Sequence, residues 1–198
     1  MLKVGITGGI GSGKTTVCKV FEILGIPVFY ADVVAKTIMH TDEHLKIEIK
    51  KVFGDKSYLD NGELNRKYIA ELVFQNEKEL EKLNLLVHPA VFRAFDNWLI
   101  THQNAPYVLK EAALLYESQS YKMCDYSILV KSPLEIKMKR LIQRDKLTAH
   151  EIKLRMDKQF TDEQKEKYAD YVLINDERQL LLPQILHLHE HFLSIKSL

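Results

Sequence analysis

Apolar and polar positions along this chain switch between two rhythms, and the switches mark out its elements. Leu2–Thr7 is a short run suited to a strand, broken by Gly8 and Gly9. From Lys14 onward Val17, Val20, Phe21 and Leu24 recur at helical spacing. Gly25 supplies a helix-ending glycine, and Pro27-Val28-Phe29-Tyr30 then reads as a second strand, a parallel neighbour for the first. Short strand runs follow at residues 107–109, 127–130 and 171–174, the last of them after the polar stretch 161–167. Five strands alternating with helices predict an α/β fold, a parallel sheet covered by helices on both faces. Between about residues 33 and 102 helix follows helix, interrupted only by Gly54, the turn-like Asp60-Asn61-Gly62 and His88-Pro89. That region reads as a helical insertion in a single domain whose core is 1–32, 103–135 and 168–198. No internal repeat or low-complexity segment is found.

Composition narrows the possible partners. The 198 residues are 46% hydrophobic, enough for one compact core, and 28 basic residues against 27 acidic leave a net charge of +1. Nothing global therefore points to nucleic acid or a membrane surface, and any phosphate affinity must be local. Cys18 and Cys124 lie far apart with no metal-ligand spacing, and the N-terminal residues lead into a strand pattern rather than a signal peptide. No apolar run approaches the roughly 20 residues of a membrane helix. A cytoplasmic protein without a nucleic-acid or membrane partner is expected.

The strongest chemical signal is Gly8-Gly9-Ile10-Gly11-Ser12-Gly13-Lys14-Thr15, a complete phosphate-binding loop set between a predicted strand and a predicted helix. Its glycines permit a tight loop whose backbone N–H groups converge on phosphate, and the helix that follows aims its positive end at the same charge. Lys14 is expected at the β- and γ-phosphates of ATP. The Thr15 hydroxyl is expected on a Mg²⁺ ion bridging them, with Gly11, Ser12, Gly13 and Thr16 completing the cradle. The chain has neither an Asn-Lys-x-Asp segment to read guanine nor an Asp-x-x-Gly switch segment, and residues 107–111 lack the aspartate common at the end of a metal-assisting strand. A small-molecule kinase fits these absences better than a switch GTPase or a motor.

Asp32 follows the second strand, and ligands of doubly wound sheets bind at the carboxyl ends of strands. It reads either as the base that orients an acceptor hydroxyl or as the N-cap of the next helix. Arg140 and Arg144 lie four apart on one helical face, and residues 148–157 form a second helix bearing Arg155. The pair resembles a lid closing over ATP, spanning 136–167; the alternative is a solvated charged face paired with Glu135 or Asp145. His88-Pro89 reads as a ligand-facing kink or as a proline opening a new helix. His187 and His191 could share a metal, although Leu182, Ile185, Leu188 and Phe192 make an ordinary amphipathic terminal helix the simpler reading.

Several segments, in order, resemble the dephospho-CoA kinase family from about Val4 to Asn175. They are the loop from Gly5 to Val17 with its Thr-Gly-Gly-Ile lead-in, Gly25-Ile-Pro-Val28 followed by Ala31-Asp32, His88-Pro89, Leu114-Leu115-Tyr116-Glu117, Arg140 with Arg144-Asp145, and Gln159 with Ala169 to Asn175. Three positions depart from the family pattern: Tyr30 and Glu111 each stand where it has aspartate, and Ala113 where it has proline. The resemblance implies a P-loop NTPase fold and Mg²⁺-assisted transfer from ATP to the ribose 3'-hydroxyl of dephospho-CoA, in a monomer or small homo-oligomer. It implies that Asp32, Lys14 and Arg140 are catalytic, and that Arg140, Arg144 and Asn175 hold ATP, Asn175 beside the adenine. His88, Leu115 and Glu117 join Asp32 at the acceptor, which the helical insertion grips. A nucleoside or nucleoside-monophosphate kinase and a nucleotide-controlled binding protein are the rival readings.

Overall fold

The computed structural model describes residues 1–74 and 76–196 and divides into two compact units, Met1–Tyr30 with His102–Leu198, and Ala31–Thr101. The first unit holds a five-stranded sheet. Strands β1 (Leu2–Thr7), β2 (Val28–Tyr30), β3 (Tyr107–Glu111), β4 (Tyr126–Lys131) and β5 (Tyr171–Ile174) are all parallel, in the order β2-β3-β1-β4-β5. Proline 27 lies just outside β2 because it has no N–H to donate, yet its carbonyl still accepts from Leu109 N–H at 2.9 Å. β1 is central, so the loop after it opens at the middle of the sheet's carboxyl edge.

Helix α1 (Lys14–Ile23) buries Val17, Cys18 and Phe21 on the sheet, each burial of a large apolar side chain stabilising by roughly 1.5–3 kcal/mol. The terminal helix, here α9 (Leu181–Lys196), adds Ile185, Leu188 and Phe192 to the same core. Leu182 departs from the expected stripe: it is exposed, and Leu181 packs on the core in its place. The connections from β4 to β5 are helices α6 (Leu134–Asp145), α7 (Ala149–Met156) and a short α8 (Asp162–Glu166). Thr148 and Thr161 each begin their helix with a capping box, closed by Glu151 and Gln164. The polar stretch 161–167 therefore contains a helix that its lack of apolar periodicity concealed.

The second unit is helical: α2 (Ala31–Thr41), α3 (Glu43–Phe53), α4 (Arg66–Phe74) and α5 (Glu77–Thr101), of which α5 packs on the other three. Asp42 caps α3 by accepting from Leu45 N–H at 3.0 Å, and Gly54 at φ 82° ends it. Between α3 and α4 the chain makes a tight ribbon, with Tyr58 bridged to Leu64 and Gly62 at φ 80° in the turn. Two sequence expectations change here. Helix α2 already begins at Ala31, so Asp32 lies in its first turn rather than capping it. Pro89 lies inside α5 and opens no new helix: the apolar run Leu83, Val87, Ala90, Val91 and Phe95 continues through it as one buried face.

Candidate active site

The loop between β1 and α1 is shaped by glycine and closed by neighbours from distant parts of the chain. Gly13 stands at φ 97° as the residue before α1, and a side chain there would collide with the Asn175 amide. Helix α1 has no side-chain cap and no acidic residue in its first turn, so its positive end is not offset locally. Lys14 Nζ donates to Gly8 O at 2.8 Å and Gly9 O at 3.5 Å, which holds the ammonium group across the loop. Ser12 is fully buried and its Oγ has no hydrogen-bond partner, whereas Thr15 and Thr16 are exposed beside it.

Arg140, on α6, turns toward this loop. One guanidinium nitrogen reaches Gly11 O, Ser12 O and Ser132 Oγ, each at 3.4 Å, and the other donates to Asn175 Oδ1 and Glu177 Oε1, each at 3.2 Å. Asn175 in turn donates from Nδ2 to Ser12 O at 2.8 Å, while its backbone N–H extends the ladder to Lys131 O. The loop, α6 and the end of β5 are thus tied together through one amide. Arg144, one turn further on, is mostly exposed and makes a two-pronged bond to the adjacent Asp145, at 2.7 and 2.9 Å. Of the two arginines singled out from spacing, only Arg140 meets the phosphate loop.

A second set of charges, which sequence reasoning missed, lies beside Gly9. Lys137 Nζ bonds Asp162 Oδ2, both side chains about nine-tenths buried, and a Cβ on Gly9 would stand 3.1 Å from that ammonium and 3.3 Å from the carboxylate. Gln159 Oε1 accepts from Ile10 N–H at 3.0 Å on the same side. These groups border a cavity of about 770 Å³ walled by Pro133, Leu134, Met156, Phe160 and Ile174. One signal was available in the sequence: Lys137 precedes Arg140 by three residues and shares its helical face. Asp162 gave none, since its partner is 25 residues away.

Lys165 and Glu117 form a third set. The Lys165 ammonium is fully buried, donates to Ala113 O at 2.8 Å, and lies 3.1 Å from Glu117 Oε1, which also accepts from Phe160 N–H at 2.7 Å. Burial pulls the Lys165 pKa down while the Glu117 charge opposes that shift. Glu117 Oε2 is buried with no hydrogen-bond partner. Leu115, expected at the acceptor, is fully buried, with its methyl groups in the space Gly5 leaves open. Tyr30 shares a hydrogen bond with Glu22 of α1, and burial raises its pKa.

In the helical unit, Asp32 is exposed in the first turn of α2, and His88 stacks on Phe92 within α5 at 6.4 Å between ring centroids. Two of the C-terminal histidines serve packing: His189 Nδ1 lies 2.7 Å from the Tyr107 hydroxyl, and His191 Nε2 lies 2.8 Å from that of Tyr171. Among the described residues no group of three or more His, Cys, Asp or Glu could hold a metal ion, and no helix is long and apolar enough to cross a membrane.

Comparison with known proteins agrees with this geometry. The family model described as dephospho-CoA kinase matches residues 2–180. A dephospho-CoA kinase of Bacteroides fragilis is 34% identical over 94% of this chain and 91% of its own. Among solved structures, a Thermus thermophilus protein superposes with a TM-score of 0.81 at 32% identity, covering 98% of this chain and 96% of its own. The dephospho-CoA kinase from Campylobacter jejuni gives 0.67 at 26%, covering 98% and 97%. With the phosphate loop, the parallel sheet and this match along nearly the whole length, the chain belongs to the dephospho-CoA kinase family.

Proposed function

We propose that this protein moves the γ-phosphoryl group of ATP to the ribose 3'-hydroxyl of dephospho-CoA with the residues gathered at and around the phosphate loop. The family's activity is ATP-dependent phosphorylation of dephospho-CoA to coenzyme A, and this chain carries it. The observation that carries the assignment of parts is the loop itself: Lys14 held across a glycine cradle at the uncapped end of α1, with Arg140 clamped onto its backbone.

Phosphoryl transfer asks the protein mainly for positioning and charge. Lys14 and the first-turn N–H groups of α1 bind the β- and γ-phosphates. Arg140, whose charge is shared with Glu177 and whose fork is fixed by Asn175, offers a two-pronged cation next to the same loop. Asn175 acts by holding the loop and Arg140 in register. Thr15, exposed beside Lys14, suits a hard cation because its hydroxyl would supply an oxygen ligand. Bound there, Mg²⁺ would offset charge on the phosphates; Thr15 is the residue that would hold it.

Asp32 orients the acceptor hydroxyl and takes its proton as the phosphoryl group leaves ATP, the task its exposed carboxylate at the start of α2 permits. The helical insertion, 33–102, binds the acceptor, and 136–167 forms the lid over ATP, with Lys137 and Gln159 as its contacts on the loop side. His88 belongs to the acceptor side. Glu117 and the buried Leu115 are assigned to the acceptor as well, and Glu117 ties the segment after β3 to Phe160 through its N–H. The protein acts in the cytoplasm, as a monomer or small homo-oligomer.

An acceptor panel tests the reading. With Mg²⁺ and ATP, dephospho-CoA is expected to gain one phosphoryl group on the ribose, in preference to AMP, CMP, adenosine and pantothenate, as read by product mass and ADP release. Preference for a nucleotide or nucleoside would overturn the acceptor assignment.

A further inference from the structure

The helical unit contains a polar cavity of about 700 Å³ between the end of α2, α3 and the start of α4, and its chemistry is that of an anion site. His40, Lys46, Arg66 and Lys67 line it, against one carboxylate, Glu63. The walls are fixed by backbone bonds: Leu59 N–H to Glu63 O at 2.8 Å, Gly62 N–H to Leu59 O at 2.8 Å and Asn65 N–H to Ser57 O at 2.8 Å. Tyr58 fastens this ribbon to α2 through its hydroxyl, which donates to Met39 O at 2.8 Å.

His40 shows what the cavity lacks. Leu64 N–H approaches its Nδ1 at 3.3 Å, and Arg66 Nη2 approaches its Nε2 at 3.3 Å. A neutral imidazole has one acceptor nitrogen, so both contacts cannot be satisfied at once. With Nδ1 accepting from Leu64, the Nε2–H and the Arg66 guanidinium are two donors facing the same space. An anionic oxygen resolves the conflict by accepting from both. Lys46 is paired with Glu43 at 2.7 Å, but that carboxylate is 78% exposed and such a pair yields readily to a stronger anion. Arg66 also opens the nine-residue α4, whose first turn contains no acidic residue.

We propose that this cavity binds the diphosphate of dephospho-CoA, a proposal that rests on the acceptor assignment above. Spacing within α2 supports it. Asp32 and His40 are eight residues apart on one helix, about 12 Å at 1.5 Å per residue. An acceptor whose 3'-hydroxyl lies at Asp32 carries its diphosphate on the 5' side of the same ribose, and with a hydrogen bond at each end the stretch from hydroxyl to diphosphate spans a comparable distance. The diphosphate is the acceptor's fixed negative charge, and an arginine fork with an imidazole N–H suits its oxygens.

The test is steady-state kinetics of wild type, Arg66→Gln and Arg66→Lys, with circular dichroism and thermal melts as controls. Arg66→Gln is expected to raise the KM for dephospho-CoA about tenfold or more while the KM for ATP stays within about twofold, and Arg66→Lys to recover part of the loss. An unchanged KM for dephospho-CoA would overturn the proposal. So would a parallel rise for both substrates with a lowered melting temperature, which assigns Arg66 to the fold. If wild type does not phosphorylate dephospho-CoA at all, the acceptor assignment fails before the cavity is tested.

Discussion

The two ends of the parallel sheet are built from different chemistry. At the carboxyl end stand Lys14, Arg140, Lys137 with Asp162, and Lys165 with Glu117. At the amino end Tyr107, Tyr126 and Tyr171 open β3, β4 and β5 and pack against Phe192, with His189 and His191 on two of their hydroxyls. The aromatic end buries area and satisfies its few polar atoms, so it stabilises. The charged end keeps cations close together around a glycine loop, an arrangement that costs stability unless each charge is paired or a ligand brings the counter-charge. The proposed function falls at the end whose charges most depend on their partners.

Substitutions can separate the two ends. The largest effect is expected for Lys14→Ala: kcat should fall by about 10²–10³ or more, the scale for removing one preorganised charge, with little change in melting temperature. A variant that kept its rate would break the assignment of the charged end to catalysis. Next comes Asp32→Asn, for which kcat should drop about 10²–10⁴ with ATP affinity retained by calorimetry. A normal rate in a protein that melts earlier would make Asp32 a helix-terminus residue and nothing more.

Lys137→Met leaves Asp162 buried without its partner and should cost about 3 kcal/mol in urea unfolding. Adding Asp162→Leu should restore stability. If the double variant also regains full activity, the pair is structural; a lasting rise in the KM for ATP would put Lys137 on the phosphates.

Tyr116 sharpens the picture from the neutral side. Burial lifts its phenol to about 12 from an ordinary value of 10, so the folded state keeps a proton that the unfolded chain gives up. The stabilisation is present in full below pH 10 and is lost as pH rises to about 12. Tyr116→Phe should make the fall in unfolding free energy over that window shallower by about one proton; an unchanged slope would show that the phenol titrates normally.

The smallest effect is expected for Arg144→Ala. Its exposed bond to Asp145 should be worth within about 0.5 kcal/mol, and the KM for ATP should move at most a few-fold. A loss as large as that of Arg140→Ala would mean that the lid brings Arg144 to ATP during turnover.

Much of the molecule was legible from the chain. The five strands lie where the short β-rich runs predicted them, each within one or two residues, because parallel central strands are buried on both faces and must be almost continuously apolar. Helix ends were less legible. Asp32 read as well as a cap as it did as a base, because its residue type favours the capping position, but β2 passes directly into α2 at Ala31. Pro89 looked like a boundary, yet packing of Leu83 to Phe95 outweighs the helix bond that a proline forfeits. Arg140 and Arg144 were equivalent on spacing alone; only the position of the loop distinguishes them.

The amino-acid sequence by itself determined the phosphate loop, the strand-helix alternation and the family, because these are written in contiguous residues whose conformations follow from local rules. Gly13 needs a left-handed backbone, and Lys14 is carried into place by the helix it begins. Tertiary structure alone decided which charges are paired and which face the loop. Lys137 meets Asp162, Lys165 meets Glu117 and Arg140 meets Asn175 across long stretches of chain. The strength of such contacts depends on burial, which removes competing water, and burial exists only once the separate elements have packed.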